Sequence, residues 1–233
     1  AEIKYNLDWM LTMQDEDGGV FHKLTTLQFS GFVMPDEDKA DRFAIGKVAT
    51  DAYSFAGVMA AAARIYKEFD ETYAETCLQA AIRAYDWAEN NGGEYCFSNP
   101  SDVATGEYQC AGGDSYFAAA ELLIATGDNE KYNDIILSAN VPEWANISGI
   151  TTYEVMAHPE FSETMQENAK YEIEMEANDL LSRANSGIGA PVTLTSFTWG
   201  SNSFVANNGV WLLHAYYATG ETKYYKAALK ALD

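Results

Sequence analysis

Basic residues are scarce. Fourteen Lys and Arg stand against thirty-five Asp and Glu, a formal charge of −21. Phosphate polyanions and anionic membrane surfaces are repelled by such a field, which argues against nucleic acid and lipid headgroups as partners. Long apolar runs are missing as well: no stretch of about 18 apolar residues occurs, so nothing reads as a bilayer-spanning helix. The opening Ala1-Glu2-Ile3-Lys4-Tyr5 has no signal-peptide h-region, so any export signal is expected to have been removed or never to have been on this chain. Cys77, Cys96 and Cys110 are an odd, widely spaced set that suggests neither a disulfide framework nor a metal knuckle. Each is read as a small buried hydrophobe. The three histidines are equally scattered, so spacing marks no zinc site.

What is present is core material. With 48% apolar residues and 13% aromatics in 233 residues, the chain is excluded from the disordered class and suits one domain, or two small ones. Helical periodicity dominates. Helices are expected at Ile3–Gln14, Thr50–Phe69, Thr72–Asn90, Asp114–Thr126, Glu130–Ala139, Ile147–Ala157, Ser162–Ala184, Asn202–Thr219 and from Glu221 to the end. Ile3, Leu7, Met10 and Leu11 form one stripe. Phe55, Val58, Met59, Ala62, Ile65 and Tyr66 form another, behind a Thr50-Asp51 pair read as an N-cap. Strand-like pieces are short: Gly19–Leu24 and Val192–Phe197. Two junctions echo each other, Ala125-Thr126-Gly127-Asp128 and Ala218-Thr219-Gly220-Glu221, each with a glycine suited to a left-handed helix end. Repeated helical hairpins of this kind suggest a toroid or a solenoid. Because Ile3 and Leu232 are both in helical step, both ends read as lying inside or at the edge of a larger helical domain.

Several motifs carry a family resemblance. Asp15-Glu16-Asp17-Gly18-Gly19-Val20-Phe21-His22-Lys23-Leu24-Thr25-Thr26 follows Trp9-Met10-Leu11-Thr12-Met13-Gln14. Then come Phe32-Val33-Met34-Pro35-Asp36-Glu37-Asp38, Thr50-Asp51-Ala52-Tyr53, Thr105-Gly106-Glu107-Tyr108, Ala118-Ala119-Ala120-Glu121-Leu122, Phe197-Thr198-Trp199-Gly200-Ser201-Asn202-Ser203 and Val205-Ala206-Asn207-Asn208-Gly209-Val210. Taken in order, these resemble glycoside hydrolase family 9 cellulases, especially the subgroup with an immunoglobulin-like module before the catalytic domain. The resemblance implies an all-α (α/α)6 barrel, residues 1–233 forming a single partial barrel domain. It also implies a secreted, extracellular endo-β-1,4-glucanase that cuts glucan with inversion. Inversion uses two carboxyl groups about 6.5–9.5 Å apart. The family's Asp-Ala-Gly-Asp base motif and its acid Glu find no match here. Asp51-Ala52, Asp15, Glu16 and Asp17 do not replace them, so no catalytic acid or base is assigned.

What remains is the wall that would hold sugar. Pyranose rings stack their C–H faces on flat aromatics while their hydroxyls seek fixed donors and acceptors. By resemblance Trp199, in a Gly/Ser/Asn-rich loop, corresponds to a cleft tryptophan, with a core position as the alternative. Trp144 is a similar candidate, and Tyr108 is either near the reacting sugar or a loop residue closing on the core. His22 and Lys23 correspond to a His-Lys pair that lines the family's cleft, against an ordinary exposed or structural role. His214 reads as core and His158 as loop. No cofactor is assigned with certainty, and a structural calcium stays open. A structural calcium is implied for many members just before the Asp114 helix, but here Gly113-Asp114 stands where an adjacent Asp-Glu pair is usual, and Asp114 also reads as an N-cap.

Three functions follow: an endoglucanase fragment, a non-catalytic glucan-binding relative, and a helical toroid for protein contacts. Six hairpins need more helices than the nine expected here, so an apolar face is expected to be exposed and to drive self-association.

Overall fold

Alanine spacing decides how the first helices meet. The structure, a computed structural model, describes residues 2–92, 96–107, 110, 112–186, 194 and 197–231, with the backbone alone for 185 and 186. Among these lie eight helices and one two-stranded sheet: α1 (Glu2–Leu11), β1 (Phe21–Thr25), β2 (Phe43–Lys47), α2 (Ala49–Tyr66), α3 (Glu71–Asn90), α4 (Asp114–Thr126), α5 (Ser148–Ala157), α6 (Glu163–Ser186), α7 (Ser201–Thr219) and α8 (Thr222–Lys230). Two compact units result, Ala1–Asn133 and Asp134–Asp233.

In the first unit α2 packs on α3 and α4. Ala74, Cys77, Ala81, Ala84 and Ala88 recur at alternating three- and four-residue steps on α3, and all are buried. With Ala52, Ala56, Ala60 and Ala63 buried on α2, this small-residue surface lets the backbones come close. Asp70 caps α3 by accepting the Tyr73 N–H at 3.0 Å. Across the α2–α4 contact the carboxylate of Glu121, only 1% exposed, takes the Arg64 guanidinium at 3.0 and 3.1 Å.

The α2 start differs from expectation. Val48 occupies the N-cap and offers no side-chain bond, so Thr50 and Asp51 sit inside the first turn. Ile65, expected to face inward, is exposed, and so is Ile3 of the α1 stripe. With Leu7, Val58, Phe69 and Phe117 they line an apolar groove of about 360 Å³.

The strand expected at Gly19–Leu24 is β1, pairing antiparallel with β2, which the sequence reading missed; Lys23 lies opposite Ile45 and Thr25 opposite Phe43. The reading missed β2 because Phe43–Lys47 is short and contains a glycine. That glycine is required: Gly46 has φ +72°, and a Cβ there would meet the Phe97 ring at 2.2 Å. Cys96 and Cys110 form a disulfide with Cα atoms 5.5 Å apart, correcting their reading as buried hydrophobes. Spacing could not reveal it, because folding over the hairpin brings the two together. Closing a loop of this length is worth about 3 kcal/mol on the chain-entropy account. Cys77 fits its reading: free, buried and alanine-like.

In the second unit α6 packs on α5 and α7, and α7 on α8. Trp211 is fully buried and donates its indole N–H to the Ile173 carbonyl at 2.9 Å, while Ile173, Ala177 and Leu180 bury one face of α6. Tyr224 of α8 donates to Asn178 at 3.0 Å. The helix expected at Glu130–Ala139 does not form. Lys131 donates its backbone N–H to the Asp128 carboxylate, and farther along the backbone of Ser138 exchanges two hydrogen bonds with the Thr152 hydroxyl at 2.9 and 2.8 Å. Side chains thus satisfy groups that helical bonds would have used. Of the two echoed junctions, Gly127 and Gly220 both take φ near +73°, but only the second leads straight into another helix. Most of the Val192–Phe197 piece lies outside the described residues.

Replacing Gly46 with Ala is expected to lower stability by about 2 kcal/mol or more, from left-handed backbone strain plus the displaced Phe97 ring. Urea unfolding measures it, with Gly31→Ala as the near-neutral control, since nothing lies within 4 Å of a Cβ there.

Candidate functional site

His22 is held on two sides. Its Nδ1 lies 2.9 Å from the Asp51 carboxylate in the first turn of α2, and its ring stacks on Phe97 with centroids 4.2 Å apart. Asp51 fixes the ring's orientation and favours a proton on Nδ1. Nε2 is buried and has no hydrogen-bond partner among the described residues. Neither Asp51 nor Phe97 was assigned this role from sequence; they lie far from His22 along the chain, and no spacing rule links them.

Lys23 serves the same loop differently. Its ammonium donates to Asn99 Oδ1 at 2.7 Å, the Gly106 carbonyl at 2.7 Å and Thr105 Oγ1 at 3.3 Å. Those three acceptors make it a strut for residues 99–106. Tyr108, the next candidate, lies outside the described residues.

Beneath this cluster Asp114, 9% exposed, opens α4 and accepts a hydrogen bond from Ser54, one turn along α2 from Asp51. The α4 N-cap is Gly113, so the N-cap reading of Asp114 is corrected by one residue. Burial pushes the Asp114 carboxyl above its ordinary pKa, opposed by the Ser54 bond and reinforced by the charge of Asp51. A calcium needs several convergent oxygens. Among the described residues no group of three or more His, Cys, Asp or Glu could hold a metal ion.

In the second unit both candidate tryptophans stand clear of the core. Trp144 is 73% exposed in a turn closed by Glu143 and Asn146, which exchange backbone bonds at 2.8 and 3.1 Å. Trp199 is 98% exposed in the turn that ends at Gly200, the α7 N-cap. Glu143, Asn146 and Thr198, chain neighbours of the two indoles, line one cavity of about 400 Å³ with Asn140, Asn207 and Asn208. That volume suits a small ligand. Asn207 ties α7 to the cavity wall by donating to the Pro142 carbonyl at 2.9 Å. Also on the wall, Glu176 pairs with Arg183 at 2.5 Å; burial raises its carboxyl pKa while the guanidinium pulls it back. His214, read as core, is half-buried and stacks on Tyr153, and His158 ends α5 beside Glu154 at 3.1 Å.

A profile described as Glycosyl hydrolase family 9 matches residues 1–233. The chain belongs to that family. It is 35% identical over 256 residues to the xyloglucan-specific endo-beta-1,4-glucanase BoGH9A of Bacteroides ovatus, covering all of this chain and 44% of that protein. It is 32% identical over 247 residues to endoglucanase D of Acetivibrio thermocellus, covering all of this chain and 39% of that protein. Among solved structures, the Bacteroides ovatus family-9 protein aligns with TM-score 0.90 and 33% identity, over all of this chain and 47% of the other. AaCel9A in complex with a cellobiose-like isofagomine aligns with TM-score 0.88 and 28% identity, over 99% of this chain and 46% of the other. The fold is thus the all-α, (α/α)6-barrel type of the family. The chain spans less than half the length of each of these relatives.

Asp114 gives a pH test. A carboxyl with a raised folded-state pKa holds its proton longer when folded. Its relative contribution to stability is therefore full below the unfolded value of about 3.8 and is lost as pH rises through the folded value. Asp114→Asn keeps an acceptor for Ser54. It is expected to melt above the parent at pH 7, with the gap narrowing toward pH 4 in thermal scans followed by circular dichroism.

Proposed function

We propose that this chain forms part of the catalytic domain of an endo-β-1,4-glucanase, and that its own residues bind and orient the glucan. The observation that carries this is Trp199. An indole 98% exposed, on a turn whose neighbour lines a polar cavity, is not accounted for by core packing. Flat aromatic faces suit pyranose rings, and the carboxamides of Asn140, Asn146 and Asn207 offer the mixed donors and acceptors that sugar hydroxyls use. A neutral polymer also tolerates a net charge of −21, where a polyanion would not.

Hydrolysis proceeds in this reading with inversion. One carboxylic acid protonates the leaving oxygen and a carboxylate opposite activates water. Neither is assigned to a residue of this chain. The contribution of this chain is positional: Trp144 and Trp199 carry sugar faces, and the part-exposed ring of His22, held by Asp51, lines the path of the glucan. The second reading, glucan binding without hydrolysis, rests on the absence from this sequence of the family's base and acid motifs. Secretion belongs to the same proposal. The Cys96–Cys110 disulfide supports it, because such bonds persist in oxidising compartments, and among the described residues no helix is long and apolar enough to cross a membrane.

Titration calorimetry with cellotetraose is expected to show binding by the 233-residue chain. Trp199→Ala should weaken it roughly 2- to 10-fold, the range for losing one aromatic contact. Reducing-end release from soluble cellulose should be at background for this chain and appear when the flanking parts of the domain are included. No binding by the parent, or an unchanged affinity in Trp199→Ala, would overturn the assignment of Trp199.

A further inference from the structure

A chain of contacts closes on itself around His22. Starting at the imidazole, it runs through the Asp51 carboxylate to Ser54 on the same face of α2, and from Ser54 to Asp114 at the foot of α4. Cys110 lies just ahead of α4, and its disulfide partner Cys96 precedes Phe97, whose ring returns to His22. Every other link is a hydrogen bond, a ring contact or the chain itself. The sulfur–sulfur bond is the one covalent cross-link.

We infer that the Cys96–Cys110 disulfide is a redox-sensitive clamp: it presses Phe97 onto His22 and so fixes the imidazole that the hairpin presents. The loop it closes carries further anchors, Ala104 N–H to the Leu27 carbonyl at 2.7 Å and Thr105 Oγ1 to Thr25 Oγ1 at 2.8 Å. These hold its far end, and Asn99, which accepts from Lys23 at 2.7 Å and donates to the Thr105 carbonyl at 2.7 Å, anchors the chain after Phe97, so Cys96 is the anchor on the other side of the ring. Phe97 also fills the space above Gly46, where no side chain competes for it. The burial of Ala81, Ala84 and Leu122 between α2, α3 and α4 does not involve the loop, so opening the clamp leaves those helices packed. Opening is a two-electron step. A dithiol reductant gives up two electrons and two protons, the sulfur–sulfur bond breaks to two thiols, and the reductant becomes a disulfide. Cys77 is buried and stays a thiol throughout.

The effect on ligand rests on the glucan reading above; the effect on His22 does not. The test compares the 233-residue chain before and after reduction by dithiothreitol, with thiols counted by alkylation and mass spectrometry. Imidazole signals are read by heteronuclear NMR, with His22→Gln assigning the His22 peaks. Two new thiols are expected, with helix content unchanged, His22 signals shifted, and those of His158 and His214 unmoved. Cys96→Ser/Cys110→Ser should reproduce the shift without reductant, and so should Phe97→Leu with the disulfide intact. Cellotetraose affinity should fall about 2- to 10-fold, as for one lost ring contact. Shifted His22 signals with unchanged affinity would uphold the clamp and overturn the role of His22 in glucan binding. Unmoved His22 signals after confirmed reduction, three free thiols before it, or loss of helix content on reduction would overturn the clamp.

Discussion

Close approach of small side chains governs the first unit. The α2–α3 contact combines buried alanines and one thiol, which let the backbones approach, with ring contacts of Tyr53 on Tyr85 and of Tyr66 on Tyr73. That rigidity has a chemical use. It fixes the first turn of α2, and with it Asp51 and Ser54, against a hairpin of only two strands. A two-stranded ribbon is marginal alone. Here it leans on α2 through His22, on residues 99–106 through Lys23, and on Asp15 and Asp17 through Lys47 at 2.9 and 2.7 Å.

Local periodicity made most of the helices legible. Asp114–Thr126 was bounded to within one residue, the N-cap falling on Gly113 rather than Asp114, because Gly113 and Gly127 punctuate it at both ends in left-handed conformations. The failures have a common physical source. Glu130–Ala139 has helical spacing, yet Asp128 and Thr152 offer its backbone other partners, a competition invisible in a pattern of apolar residues. Ile65 keeps the helical step and still faces outward, since step defines a stripe but not what covers it.

The site was legible in its types more than in its partnerships. Trp144 and Trp199 could be singled out because aromatic residues in turns rich in Gly, Ser and Asn are poorly placed for a core, and both are exposed. His22 stood out by resemblance alone. That Asp51 orients it, that Phe97 covers it and that a disulfide sits behind Phe97 depend on tertiary contacts, which one sequence does not encode in any readable spacing. Lys23 illustrates the limit: the same residue that resemblance places beside a cleft is held by three acceptors of a neighbouring loop.

The connection between β1 and β2, residues 26–42, is far longer than a hairpin turn needs and largely exposed, with Phe29 and Phe32 on its surface. Its length does not set the pairing register, which Gly46 and the anchors on Lys23 and Thr25 enforce from the strand side. Because closure entropy grows slowly, at about 0.6 kcal/mol per doubling, insertions and deletions there are cheap. Outside residues 32–38, that segment can accept a grafted peptide while the imidazole behind it keeps its bearing.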